Sequence, residues 1–96
     1  MSYREEFPDY DDKLVIPEGF EDYSWHNDCC PHVSKRYFDT PEVEAKVNIW
    51  QDYKNPALRE YDNGKRFLFQ IIVNGVNIML HETDDWSEIE KLVAMC

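Results

Sequence analysis

Apolar and polar residues alternate over three stretches of the chain, and each alternation predicts a β-strand. In Arg66-Phe67-Leu68-Phe69-Gln70-Ile71-Ile72-Val73, aromatic and β-branched residues crowd together without Gly or Pro. Asn74-Gly75 follows, the dipeptide best suited to a type I′ turn because both central positions need positive φ. Val76-Asn77-Ile78-Met79-Leu80-His81-Glu82-Thr83 then alternates again, so strands near 66–73 and 76–83 form a hairpin. Folding about the turn sets Val73 opposite Val76, Ile71 opposite Ile78, Phe69 opposite Leu80 and Phe67 opposite Glu82, which gathers the apolar side chains on one face. The other face, Arg66, Leu68, Gln70 and Ile72 against Thr83, His81, Met79 and Asn77, is mixed and partly covered. Upstream, Val43, Ala45, Val47 and Ile49 alternate with Glu42, Glu44, Lys46 and Asn48, predicting a third strand near 43–51 with Trp50 on the mixed face.

After Thr83 the period changes from two to between three and four. Trp86, Ile89, Leu92, Val93 and Cys96 make one apolar stripe of a helix over 85–95, with Glu88, Glu90 and Lys91 toward water. Asp85 followed by Glu88 is a capping-box pattern with Asp in the first place, and acids there suit the positive end of the helix dipole. The stripe needs a partner, and the apolar face of the hairpin is the nearest of the right size. The fold class expected is therefore α+β: a three-stranded antiparallel meander with a C-terminal helix on one face. Between the first two strands, Pro56-Ala57-Leu58-Arg59-Glu60 suits one helical turn, and Asp62-Asn63-Gly64-Lys65 is a further turn signal.

The length suits a single domain over 1–96, with the core in 41–96 and an irregular acidic and aromatic arm in 1–40. The first residues lack the apolar stretch of a signal peptide, and no apolar run is long enough to span a membrane, so a cytoplasmic protein is expected. Three cysteines, two of them adjacent, do not make a disulfide framework and fit a reducing compartment.

Formal charge is −10, and residues 1–24 carry eight of the twenty acids against Arg4 and Lys13 alone. Glu5, Glu6, Asp9, Asp11, Asp12, Glu18, Glu21 and Asp22 are threaded with Tyr3, Phe7, Tyr10, Leu14, Phe20 and Tyr23, unlike a disordered acidic tail. Two readings follow. Either the apolar residues lie over the core while the acids are solvated, or the segment is a docking surface for a basic protein. In the second, Tyr10 and Phe20 are anchors and the carboxylates steer the encounter. Asp62, Glu82 and Asp84 form a second acidic patch.

Candidate chemistry is sparse. His26, Cys29, Cys30 and His32 are zinc ligands by type, but adjacent cysteines point apart and no second ligand pair exists, so no metal or cofactor is expected. A Cys nucleophile with His26, His32 or His81 as base lacks an oxyanion hole and an orienting group. No phosphate-binding glycine loop or other catalytic motif occurs. Acids outnumber bases two to one, which disfavours direct nucleic-acid binding.

In size and charge alone the chain resembles the small acidic inhibitors of phages and mobile elements: uracil-DNA glycosylase inhibitors, anti-restriction proteins and anti-CRISPR proteins. Some of these imitate the phosphate backbone, and no motif of this chain carries the likeness. The resemblance implies a non-enzymatic protein that blocks the nucleic-acid-binding surface of a basic partner. The alternative is an adaptor or complex subunit with aromatic or apolar contacts, and the third is a small zinc-binding or thiol protein.

Overall fold

A computed structural model describes residues 2–59 and 64–95. It is α+β, with an antiparallel sheet and a C-terminal helix, and the sheet has five strands where the sequence predicts three. The elements in chain order are a short helix α1 (Tyr3–Glu6), β1 (Glu21–Asp22), β2 (His32–Asp39), β3 (Glu44–Gln51), a 3₁₀ turn (Pro56–Leu58), β4 (Phe67–Val73), β5 (Val76–Thr83) and α2 (Trp86–Met95). The strands lie in sequence order, each antiparallel to the next. The meander is thus as expected but extended on its N-terminal side, and 1–40 is not wholly irregular.

Strand β2 escaped the sequence reading because its inward positions are Val33, Lys35 and Tyr37, only one of them aliphatic. A bulge between Arg36 and Phe38 breaks its alternation further. Val33 is fully buried all the same and pairs with Ile49 of β3.

The core lies between one sheet face and α2. Val33, Val47, Ile49, Phe67 and Phe69 from the strands meet Ile89 of the helix, with Leu14 and Phe20 closing the layer from the N-terminal arm. Trp86, Leu92 and Val93 pack against the same cluster, so the helical stripe faces the core as its periodicity predicts; Cys96 lies outside the described residues. A second cluster, Phe7, Tyr10 and Tyr53, ties the arm to the segment after β3.

The hairpin turn is as expected: Asn74 (φ 49°) and Gly75 (φ 78°) both take positive φ, and Val73 faces Val76. The register beyond it is not. A bulge places one extra β5 residue between the Ile72–Asn77 and Ile71–Met79 pairs, so Phe69 faces His81, Leu68 faces Glu82 and Phe67 faces Thr83. The helix connection accounts for the shift. Only Asp84 and Asp85 separate β5 from α2, and Thr83 must look toward the helix: its hydroxyl accepts from the Asp85 N–H (3.0 Å) and donates to Glu88 Oε2 (2.7 Å). The shifted register satisfies this turn and leaves Ile78 and Leu80, expected in the core, exposed.

The capping box is likewise half made. Asp85 Oδ1 accepts from the Ser87 N–H at 2.9 Å, while Glu88 turns to Thr83 and to His81 Nε2 (3.1 Å) instead of the Asp85 N–H. Among the described residues no helix is long and apolar enough to cross a membrane.

Candidate functional site

The arm is held down largely by its own acids, which divides the acidic pole in two. Asp9 Oδ1 accepts from the Tyr53 hydroxyl (2.8 Å), and Asp11 accepts from the backbone N–H groups of Lys54 (2.8 Å) and Asn55 (2.7 Å). Asp12 pairs with Arg66 at 2.8 Å. Asp22 accepts from the Tyr3 N–H (2.6 Å) and the Ser24 N–H (2.9 Å), and Glu6 pairs with His26 Nδ1 at 3.0 Å. Only Glu5, Glu18 and Glu21 of the eight have no side-chain partner among the described residues. The two expected anchors are core side chains: Tyr10 sits against Tyr53 and Phe20 against the main cluster. Their burial removes them from any docking surface, because the aromatics thread the arm to fasten it.

Between arm and sheet stands Gln51, fully buried. Its Nε2 donates to the Val15 carbonyl (2.7 Å) and its Oε1 accepts from the Val15 N–H (2.9 Å), so one side chain completes the hydrogen bonding of an arm residue. Polar in an apolar strand pattern, it gave no sign of this role in the sequence.

The clasp makes the arm sensitive to acid. Burial alone would raise the Asp11 carboxyl, but the Asn55 and Lys54 N–H groups and nearby Arg66 outweigh it and hold it below the usual carboxylate range. The Arg66 guanidinium holds Asp12 low, helped by the Lys13 N–H. A depressed folded-state value contributes stability that is complete above the unfolded-state value of about 4 and is lost as pH falls through the folded one. Urea midpoints should therefore drop between pH 6 and pH 3. The double variant Asp11→Asn/Asp12→Asn should start lower at pH 6 and fall less, and equal slopes for the two proteins would contradict the clasp.

The Cys/His segment does not assemble a ligand set. Cys30 is buried and Cys29 exposed, their sulfurs 3.7 Å apart, and the neighbouring thiol together with burial pushes the Cys30 thiol far up. His32 stacks on Trp50 with ring centroids 4.0 Å apart; burial lowers its pKa and keeps the ring neutral. Its Nδ1 stands 3.9 Å from Asp28, beyond hydrogen-bond reach. His26 is drawn away to Glu6 and to the Trp25 ring. No group of three or more His, Cys, Asp or Glu among the described residues could hold a metal ion.

The mixed sheet face carries a cleft of about 640 Å³ lined by Cys29, Trp50, Leu68, Gln70 and Glu82, among others. A hydrogen-bonded ladder crosses it: Asn48 and Trp50 Nε1 donate to Gln70 Oε1 (3.2 and 3.1 Å), and Gln70 Nε2 donates to Asn77 (2.7 Å). At the sheet's free edge Val76, Ile78 and Leu80 are exposed, and Glu82, Asp84, Asp85 and Glu88 gather at the corner where β5 enters α2. Of the second acidic patch predicted from sequence, Glu82 and Asp84 lie here; Asp62 is outside the described residues. Sequence reasoning missed the apolar edge because the bulge that turns Ile78 and Leu80 outward leaves no mark in the alternation.

No family model, curated protein or solved structure matches the chain.

The cations complete the electrostatic picture. Every arginine is engaged within the chain: Arg4 donates to the Tyr10 and Asp12 carbonyls (2.9 and 3.0 Å), Arg36 pairs with Asp39 (3.1 Å), Arg59 donates to the Tyr53 carbonyl (2.7 Å) and Arg66 pairs with Asp12. Glu42, Glu44, Glu82 and Glu90 join Glu5, Glu18 and Glu21 as exposed acids whose side chains have no partner among the described residues. The fold consumes its guanidiniums and leaves glutamates on the outside.

Proposed function

We propose that this chain is a non-catalytic protein ligand that binds a basic protein and covers the surface with which that partner holds nucleic acid. The supporting observation is the division of charge just described. The aspartates of the arm are spent on folding, whereas a separate set of exposed glutamates presents charge that no side chain among the described residues pairs with. On a chain of net charge −10 such groups produce a negative field that raises the encounter rate with a cationic surface. The chain offers phosphates little, since its arginines are committed internally. The role is that of an inhibitor acting by occupation, the kind implied by the likeness to small acidic inhibitors.

A second reading, an adaptor whose contact is apolar, draws on the exposed Val76, Ile78 and Leu80. The two part on salt and on competition. Immobilised chain should retain, from an extract of its native cell, a protein that binds nucleic acid in a separate assay, that duplex DNA or RNA displaces, and that elutes as salt rises. A retained protein that withstands high salt and ignores nucleic acid would replace this reading with the adaptor.

A further inference from the structure

The two edges of the sheet are finished differently. β1 is two residues long, which gives a second chain little to pair with. β5 runs for eight residues without Pro or Lys, and nothing among the described residues pairs with its outer side. An antiparallel edge strand turns alternate N–H and C=O groups outward, a template for one more strand. Its side chains reinforce the template: Val76, Ile78 and Leu80 are 61, 60 and 57% exposed. The bulge near Ile78 restricts regular pairing to Met79–Thr83, the half that runs into the acidic corner.

The charge at that corner selects the occupant. Glu82 has no side-chain partner among the described residues, while Asp84 accepts from the Arg66 N–H at 2.9 Å and pairs with Lys65 at 3.4 Å, both side chains of that pair being exposed. A strand laid beside Met79–Thr83 meets Leu80 and, two residues on along the same face, the Glu82 carboxylate, so a complementary segment carries an apolar residue beside Leu80 and Lys or Arg two positions along from it. A second copy of this chain fits less well, because it would bring another charge of −10 to the same edge. We propose that β5 is the docking edge, and that an extended segment of the basic partner adds to the sheet there as a sixth strand. The proposal rests on the function inferred above and specifies how that partner is held, with main-chain hydrogen bonds supplying affinity and the acidic corner supplying register.

The test uses the full chain, labelled with ¹⁵N, and a blocked octapeptide with valines in one half and lysines in the other as probe, beside the same peptide with glutamate for lysine. The lysine peptide should shift the β5 amides and slow their hydrogen exchange, the glutamate peptide should not, and Leu80→Lys should weaken binding by at least about tenfold. Ile78→Lys serves the same purpose should Leu80→Lys lower the melting temperature. Shifts centred on Glu5, Glu18 and Glu21 with β5 silent would overturn the edge proposal and leave the basic-partner reading standing. Failure of both the lysine peptide and polylysine to bind at millimolar concentration would sink the two together. Sedimentation showing a wild-type dimer that Leu80→Lys dissociates would also overturn it, by assigning the edge to a second copy.

Discussion

Replacing Phe69 with alanine should lower the stability of the chain by about 3 to 5 kcal/mol, the usual cost of emptying a large buried site. Phe69 is fully buried on β4, facing Ile49 on one side and His81 on the other, in the cluster that α2 closes with Ile89. Leu80→Ala, on the neighbouring strand, should change stability by less than about 0.5 kcal/mol, because its side chain is exposed. The pair of urea midpoints reads the register of the hairpin. Were β4 and β5 paired without the bulge, Leu80 would share the core with Phe69, and the two substitutions would cost similar amounts.

The second large effect falls on a polar residue. Gln51→Ala removes both partners of Val15 at once, leaving an N–H and a C=O to find water at a partly covered site. Each unsatisfied group of this kind costs about 1 to 3 kcal/mol. With Val15 partly accessible to solvent the sum should come to about 2 to 3 kcal/mol. The loss should be visible as faster proteolysis between Asp12 and Pro17 before any cleavage in the sheet, since the arm is released first. Cleavage of arm and sheet at equal rates would show that Gln51 does not hold the arm separately.

The parts of this fold that could be read from sequence are those whose side chains repeat with a period. Phe67, Phe69 and Ile71 mark β4, Val47 and Ile49 mark β3, and Trp86, Ile89 and Val93 mark the buried stripe of α2. Asn74-Gly75 fixes its turn because few dipeptides accept two positive φ values. What escaped was set by single contacts. The β5 register depends on where Thr83 must look to meet Asp85 and Glu88, and one extra residue there reverses the facing of Ile78 and Leu80. β2 carries Lys35 and Tyr37 where an aliphatic pattern was sought. The arm shows the same limit from the other side: its acids and aromatics stood out in the sequence, but composition cannot distinguish Asp11, bonded to two backbone N–H groups, from Glu18, whose side chain has no partner among the described residues. The acidic pole was legible as a feature, and its division into a clasp and an outward-facing set is decided by the fold.

That division is the claim most open to direct measurement. With the partner purified, stopped-flow association rates can be followed across ionic strength for the wild-type chain and for Glu5→Gln/Glu18→Gln/Glu21→Gln/Glu82→Gln. The melting temperature should be unchanged, the association rate at low salt lower and the salt dependence flatter, because exposed charges steer encounters and contribute little to stability. Association rates that match the wild type at every salt concentration would contradict the division.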